Sequence, residues 1–264
     1  MKQIIIYITS AIVLFSACKK DEVVKYNPEI KGGLSIEFDN IAGSSDLELD
    51  SGTYVNAAGE SFRVTKLKYF VSNFILTKTD GSIFTVPQDS CYFLIDESDE
   101  ETQEPILKVP EGEYKTLTFT LGVDSLRSTM DLSKRSGNLD PATTAADMYR
   151  DLNSGYIFFK MEGTSPAVNS SENIFLYDVG GFGGYMTPTT NNIKSITFDL
   201  TQRGTPKVKS GKETNIHLMV DILKVLTGST TMSFATTPVI DDIEEGRPVA
   251  DNYARMIRHD HTEN

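Results

Sequence analysis

Apolar and polar residues alternate with a period of two through much of this chain, and that period decides what it can fold into. In Leu34-Ser35-Ile36-Glu37-Phe38, Leu117-Thr118-Phe119-Thr120-Leu121, Ile196-Thr197-Phe198-Asp199-Leu200 and Ile216-His217-Leu218-Met219-Val220-Asp221-Ile222, every second side chain is apolar. A strand turns successive side chains to opposite faces, so each run buries one face and wets the other. More continuous runs lie at 62–77, 92–95, 156–161, 174–179 and 230–234, and turn signals such as Asp80-Gly81, Pro110-Glu111-Gly112 and Arg203-Gly204-Thr205-Pro206 separate them. About nine or ten strands are expected, in an all-β fold with one β-sandwich of Greek-key, immunoglobulin-like type. Helical signal is sparse. Asp140 as N-cap with Pro141 at the first position predicts one short helix to Leu152, and Pro248 to Arg258 predicts another.

The N-terminus has a different character. Met1-Lys2 precedes an apolar run to Phe15, then Ser16-Ala17-Cys18, the pattern of a secretory signal too short to span a membrane stably. A cysteine after Ser-Ala fits lipoprotein processing, in which the Cys18 thiol takes a diacylglyceryl group and its freed amine a further, palmitate-class chain. Several chains anchor durably where one is marginal. Residues 1–17 are thus expected to be removed, with 18–31, rich in charge, as a flexible tether and 32–264 as the folded domain. Lys19-Lys20-Asp21-Glu22 resembles the export tag of surface-exposed lipoproteins in the Bacteroidetes, which implies an outer-membrane protein facing outward.

Charge and motif content narrow the function classes. The formal net charge is −12, and loss of Lys2 with the signal makes it one unit more negative. Nucleic acid is excluded as a partner, because phosphate binding needs clustered Lys and Arg. No Gly-x-Ser-x-Gly elbow, phosphate-cradling loop, His-Glu-x-x-His or paired-cysteine motif occurs. The chain has three histidines. Alternation puts His217 on the face opposite Ile216 and Leu218. His259-Asp260-His261 sets two imidazoles two residues apart, on one side of an extended chain, a spacing that can grip a metal ion. Phe175 to Tyr185 reads as a strand entering a glycine-rich loop flanked by aromatics. There Phe182 and Tyr185 either cover the sandwich edge or contact a glycan or protein, beside Asp178.

Several ordered blocks resemble the MbnP-like copper-binding protein family. They are Gly33 to Asn40, Tyr54 to Asn73, Gly122-Val123-Asp124-Ser125, Gly137 to Pro141, Asn153 to Gly163 and Ala250 to Ala254, together spanning nearly all of residues 32–261. The resemblance implies an extracytoplasmic β-sandwich that binds copper without turnover, using an oxidatively modified tryptophan and nearby histidines. Relatives often carry tryptophans just before the Asn-Ser-Gly-Tyr block and a histidine before the Gly-Gly of the loop. Here the corresponding residues are Met148-Tyr149-Arg150-Asp151-Leu152 and Asp178, and the chain has no Trp. The metal reading therefore rests on His259 and His261, with Asp178 and His217 behind them. Its rival is a sandwich that has lost the metal and contacts glycan or protein through Phe182 and Tyr185.

Overall fold

The computed structural model describes residues 25–264. The expected signal peptide, Cys18 and the expected export-tag run lie outside the described residues. Ten strands have five residues or more: β1 Lys31–Ala42, β2 Ser61–Lys78, β3 Tyr92–Asp96, β4 Ile106–Pro110, β5 Gly112–Leu121, β6 Gly155–Thr164, β7 Ile174–Gly180, β8 Lys194–Asp199, β9 Asn215–Asp221 and β10 Ile257–Glu263. With short strands between them and a few short helices, the fold is all-β, as the alternation predicts. No helix among the described residues is long and apolar enough to cross a membrane.

The strands form two sheets. In one, β10, β9 and β1 lie side by side, with β4 on the far edge of β1. In the other, the order is β8, β5, β2, β6, β7. β2 is long enough to pair with β6 through its first half and β5 through its second. Aromatic rings join the sheets: Phe38 of β1 meets Tyr69 of β2 at 6.2 Å and Phe119 of β5 at 5.7 Å, both edge to face. β1 runs parallel to β9, with Glu37 beside His217 and Asp39 beside Met219. That pairing joins residues about 180 positions apart in sequence, and hydrophobic period alone cannot reveal it.

Three sequence expectations fail locally, each for a visible reason. Residues 141–147 form turns, and Tyr149–Asp151 is a short strand folded back on Gly155 and Tyr156. Asp151 accepts hydrogen bonds from the Asn153 and Ser154 amides, offering the backbone a tight turn in place of a helix. Residues 230–234 make no strand ladder, because the Glu60 carboxylate captures the Phe234 and Ala235 N–H groups and the Ser233 hydroxyl. The C-terminal helix spans Arg247–Tyr253 only, since the chain is extended again from Ile257. The expected tether is also docked before residue 32: Tyr26 donates to Glu113, and the Asn27 amide donates to Glu111.

Between the sheets, Tyr69 donates to Asn40, and Asn40 donates to Glu97 at 2.7 Å. Burial, reinforced by Asp46, Asp39 and Asp96, pushes the Glu97 carboxyl up to about 7. The native state then holds a proton that the unfolded chain has released, so this group's contribution to stability declines as pH rises from 4.5 to about 7. Denaturation of Glu97→Gln should show a variant more stable than the parent at about pH 8, with the gain gone near pH 4. An equal offset at both pH values would rule this out.

Candidate metal centre

The outer face of the β10-β9-β1 sheet gathers two of the three histidines. On β9, Ile216, Leu218 and Val220 are fully buried, which turns His217 outward as its alternation requires. β10 does not keep strict alternation. Opposite β9, His261 faces His217 but His259 faces Leu218, leaving Asp260 as the extra residue of a β-bulge. The bulge re-aims the side chains. His261 and Asp260 join His217 on the outer face, whereas His259 turns inward and is 7% exposed.

This corrects the expectation that His259 and His261 share one side. His259 bonds Thr262 through Nε2 at 3.0 Å, and its Nδ1 is buried without a partner. Burial lowers its pKa, favouring the neutral ring. Asp178 lies in the other sheet, where the Lys160 ammonium donates to both its carboxylate oxygens at 2.7 and 2.8 Å. Arg150 donates to the Asp178 carbonyl at 2.9 Å. Asp178 is thus engaged by a lysine at its carboxylate and by an arginine at its carbonyl. The aromatic loop divides as well. Phe182 is 5% exposed and packs on Gly155, while Tyr185 is 61% exposed, so only Tyr185 is free to contact a partner.

The outer cluster has ordered geometry. His217 Nδ1 and His261 Nδ1 lie 3.3 Å apart. Asp260 Oδ2 is 3.0 Å from His261 Nδ1 and 3.7 Å from His217 Nδ1. Metal–ligand bonds of about 2.05 Å meeting at a tetrahedral angle separate donor atoms by about 3.3 Å, so this triangle suits a small transition-metal ion. Behind each ring stands a carboxylate: Asp39 is 3.3 Å and Glu37 3.7 Å from His217 Nε2, and Glu263 is 3.4 Å from His261 Nε2. On His217, Asp39 at Nε2 is nearer than Asp260 and favours the ring proton there, leaving Nδ1 to coordinate. On His261, Asp260 is the nearer carboxylate, and a metal would have to take its place at Nδ1.

The electrostatics agree. Arg258 donates to Asp260 Oδ1 at 2.6 Å, and with His261 it holds the Asp260 carboxyl down at about 2. Asp260, through its contact with Nδ1, in turn raises the pKa of His261, so a cation entering the cluster competes with a proton for that imidazole. Four carboxylates against one guanidinium around the imidazoles favour that exchange. Sequence reasoning missed Asp260, Asp39, Glu37 and Glu263. The alternation of β1 marks Glu37 and Asp39 as outward-facing, but their partner strand was unknown.

A β-sheet protein with two imidazoles and a carboxylate converging on one outer face defines a class of candidate metal binder. The MbnP family profile matches residues 31–242, and the chain belongs to that family. MbnP from Methylosinus trichosporium is similar in structure, with a TM-score of 0.55 and 14% identity over 76% of this chain and 83% of that one. Identity that low speaks to the fold alone. No curated protein matches the chain. The matched residues contain His217 and end before Asp260 and His261.

Proposed function

We propose that this protein is an extracytoplasmic, lipid-anchored metal-binding protein that holds copper between His217, His261 and Asp260 and performs no catalytic turnover. The observation that carries the reading is the triangle of two Nδ1 atoms and one Oδ2, backed by carboxylates on the far side of each ring. Family membership supports copper as the metal, and imidazole is a good copper ligand. When bound, the ion would supply a coordination or redox centre. The chain's own residues set the donor tautomers and the local negative field. Without tryptophan, the site depends on imidazole and carboxylate donors alone.

Copper titration against a competing chelator tests the assignment, and its pH dependence is specific. Metal must displace a proton from His261, whose pKa is raised by Asp260. Affinity should therefore fall as pH drops through the histidine range, and the loss should begin at lower pH in Asp260→Asn, where the raised His261 pKa relaxes. A pH-independent affinity between about pH 5 and 8 would count against imidazole ligation.

The address is part of the same proposal. The signal pattern and Cys18 support an outer-membrane lipoprotein facing outward. Cys18→Ala should move the protein from the membrane fraction to the soluble one, and accessibility to protease added to intact cells should vanish with it. Variant protein that stays membrane-bound would argue against lipidation.

A further inference from the structure

A cavity away from the histidine cluster carries cations that the metal site does not use. It has a volume of about 450 Å³ and lies between the start of β3, helix α1 (Ser125–Ser128) and the turns that follow. Arg127, Lys134 and Arg135 line it, together with a single carboxylate, Asp89, and the apolar surfaces of Tyr92 and Leu139. In a chain with net charge −12, three cations around one small cavity are a local reversal of sign.

Arg135 is the unusual member. It is 6% exposed, yet its guanidinium meets only neutral acceptors: the Met130 and Ser128 carbonyls and the Tyr156 hydroxyl. The rings of Tyr149 and Tyr156 flank it at 4.7 and 5.3 Å. Among the described residues no carboxylate forms an ion pair with it. Buried arginines are ordinarily paired, because a desolvated charge without a counter-ion is costly. Arg127 adds a second unfilled demand. It pairs with Asp89 through one terminal nitrogen and lies over the Tyr92 ring at 5.4 Å, but its Nε is buried without a partner.

The geometry points to this cavity as a binding site for a small organic acid, its carboxylate between Arg127 and Arg135 and its hydrocarbon part on Tyr92 and Leu139. Guanidinium groups match carboxylates in shape as well as charge. The cavity volume falls within the range of small-molecule sites. Asp89, largely exposed and already on Arg127, is the residue that such an acid must compete with.

The test is calorimetric titration of the intact protein with acetate, benzoate, succinate and citrate. Ionic strength is held constant with chloride, and a metal chelator is present so that the histidine cluster cannot contribute. At least one acid should bind saturably at one site per chain. Arg127→Gln should weaken that binding about tenfold, and Asp89→Asn should strengthen it about threefold. Asp89 is exposed and Arg127 largely buried, so circular dichroism checks that both variants remain folded. If none of the four acids saturates, or if neither substitution moves the affinity of the acid that does, the proposal is wrong.

Discussion

Replacing His217 and His261 together with alanine should lower copper affinity by at least about a hundredfold, since even partners behind metal ligands are worth tenfold to a hundredfold. Both imidazoles present Nδ1 to the same point, 3.3 Å apart, so removing the pair leaves one carboxylate that Arg258 already engages. His259→Ala should leave affinity within about threefold, because that ring turns away from the cluster and is buried against Thr262. Competition titrations of the two variants separate this arrangement from the one that strict alternation suggests. If His259→Ala were the damaging change, the bulge at Asp260 would have been given the wrong role. Both outer histidines are surface-facing, so the double variant should unfold within a few degrees of the parent.

Asp178→Ala should have the opposite signature, a large loss of stability with no loss of metal binding. Lys160 has a side chain only 6% exposed, and Asp178 holds its ammonium with two hydrogen bonds. Glu162, at 3.4 Å, is a weaker partner in a more exposed setting. Removing one member of a buried pair leaves an uncompensated charge and costs about 3 kcal/mol. For a domain of this size, that corresponds to a drop in Tm of roughly 6–12 °C. Lys160→Met combined with Asp178→Leu should recover much of the loss, because an apolar pair of similar volume avoids the stranded charge. Thermal melts of the three proteins decide the matter. A single variant that melts with the parent would show that the pair contributes little, and one that loses copper affinity would return Asp178 to the list of ligands.

Much of this fold was legible because β-structure writes itself in single residues. Leu34, Ile36 and Phe38 are buried while Ser35, Glu37 and Asp39 face outward, as alternation alone requires. His217 was placed on the correct face for the same reason. What sequence could not show is which strands meet. The parallel pairing of β1 with β9 brings Glu37 and Asp39 to His217 across most of the chain, and no local pattern encodes that contact. The bulge at Asp260 was equally hidden. His259-Asp260-His261 has the spacing of a two-sided strand, and only pairing with β9 shows that the middle residue is the inserted one. Around residues 141–152 the helix signal at Asp140-Pro141 was present in the chain, but the Asp151 turn and the buried Met148 outweigh it. Phe182 and Tyr185 look alike in the sequence and part company in space, because Gly155 leaves room for one ring to pack inward.

The most direct test of the metal assignment is a crystal structure of the protein loaded with copper, with anomalous scattering recorded at the copper edge. The expected result is one strong peak within about 2.1 Å of both His217 Nδ1 and His261 Nδ1, with Asp260 as the third contact. A peak beside Asp178 and Lys160, or no ordered copper on the outer face of the β10-β9-β1 sheet, would contradict it.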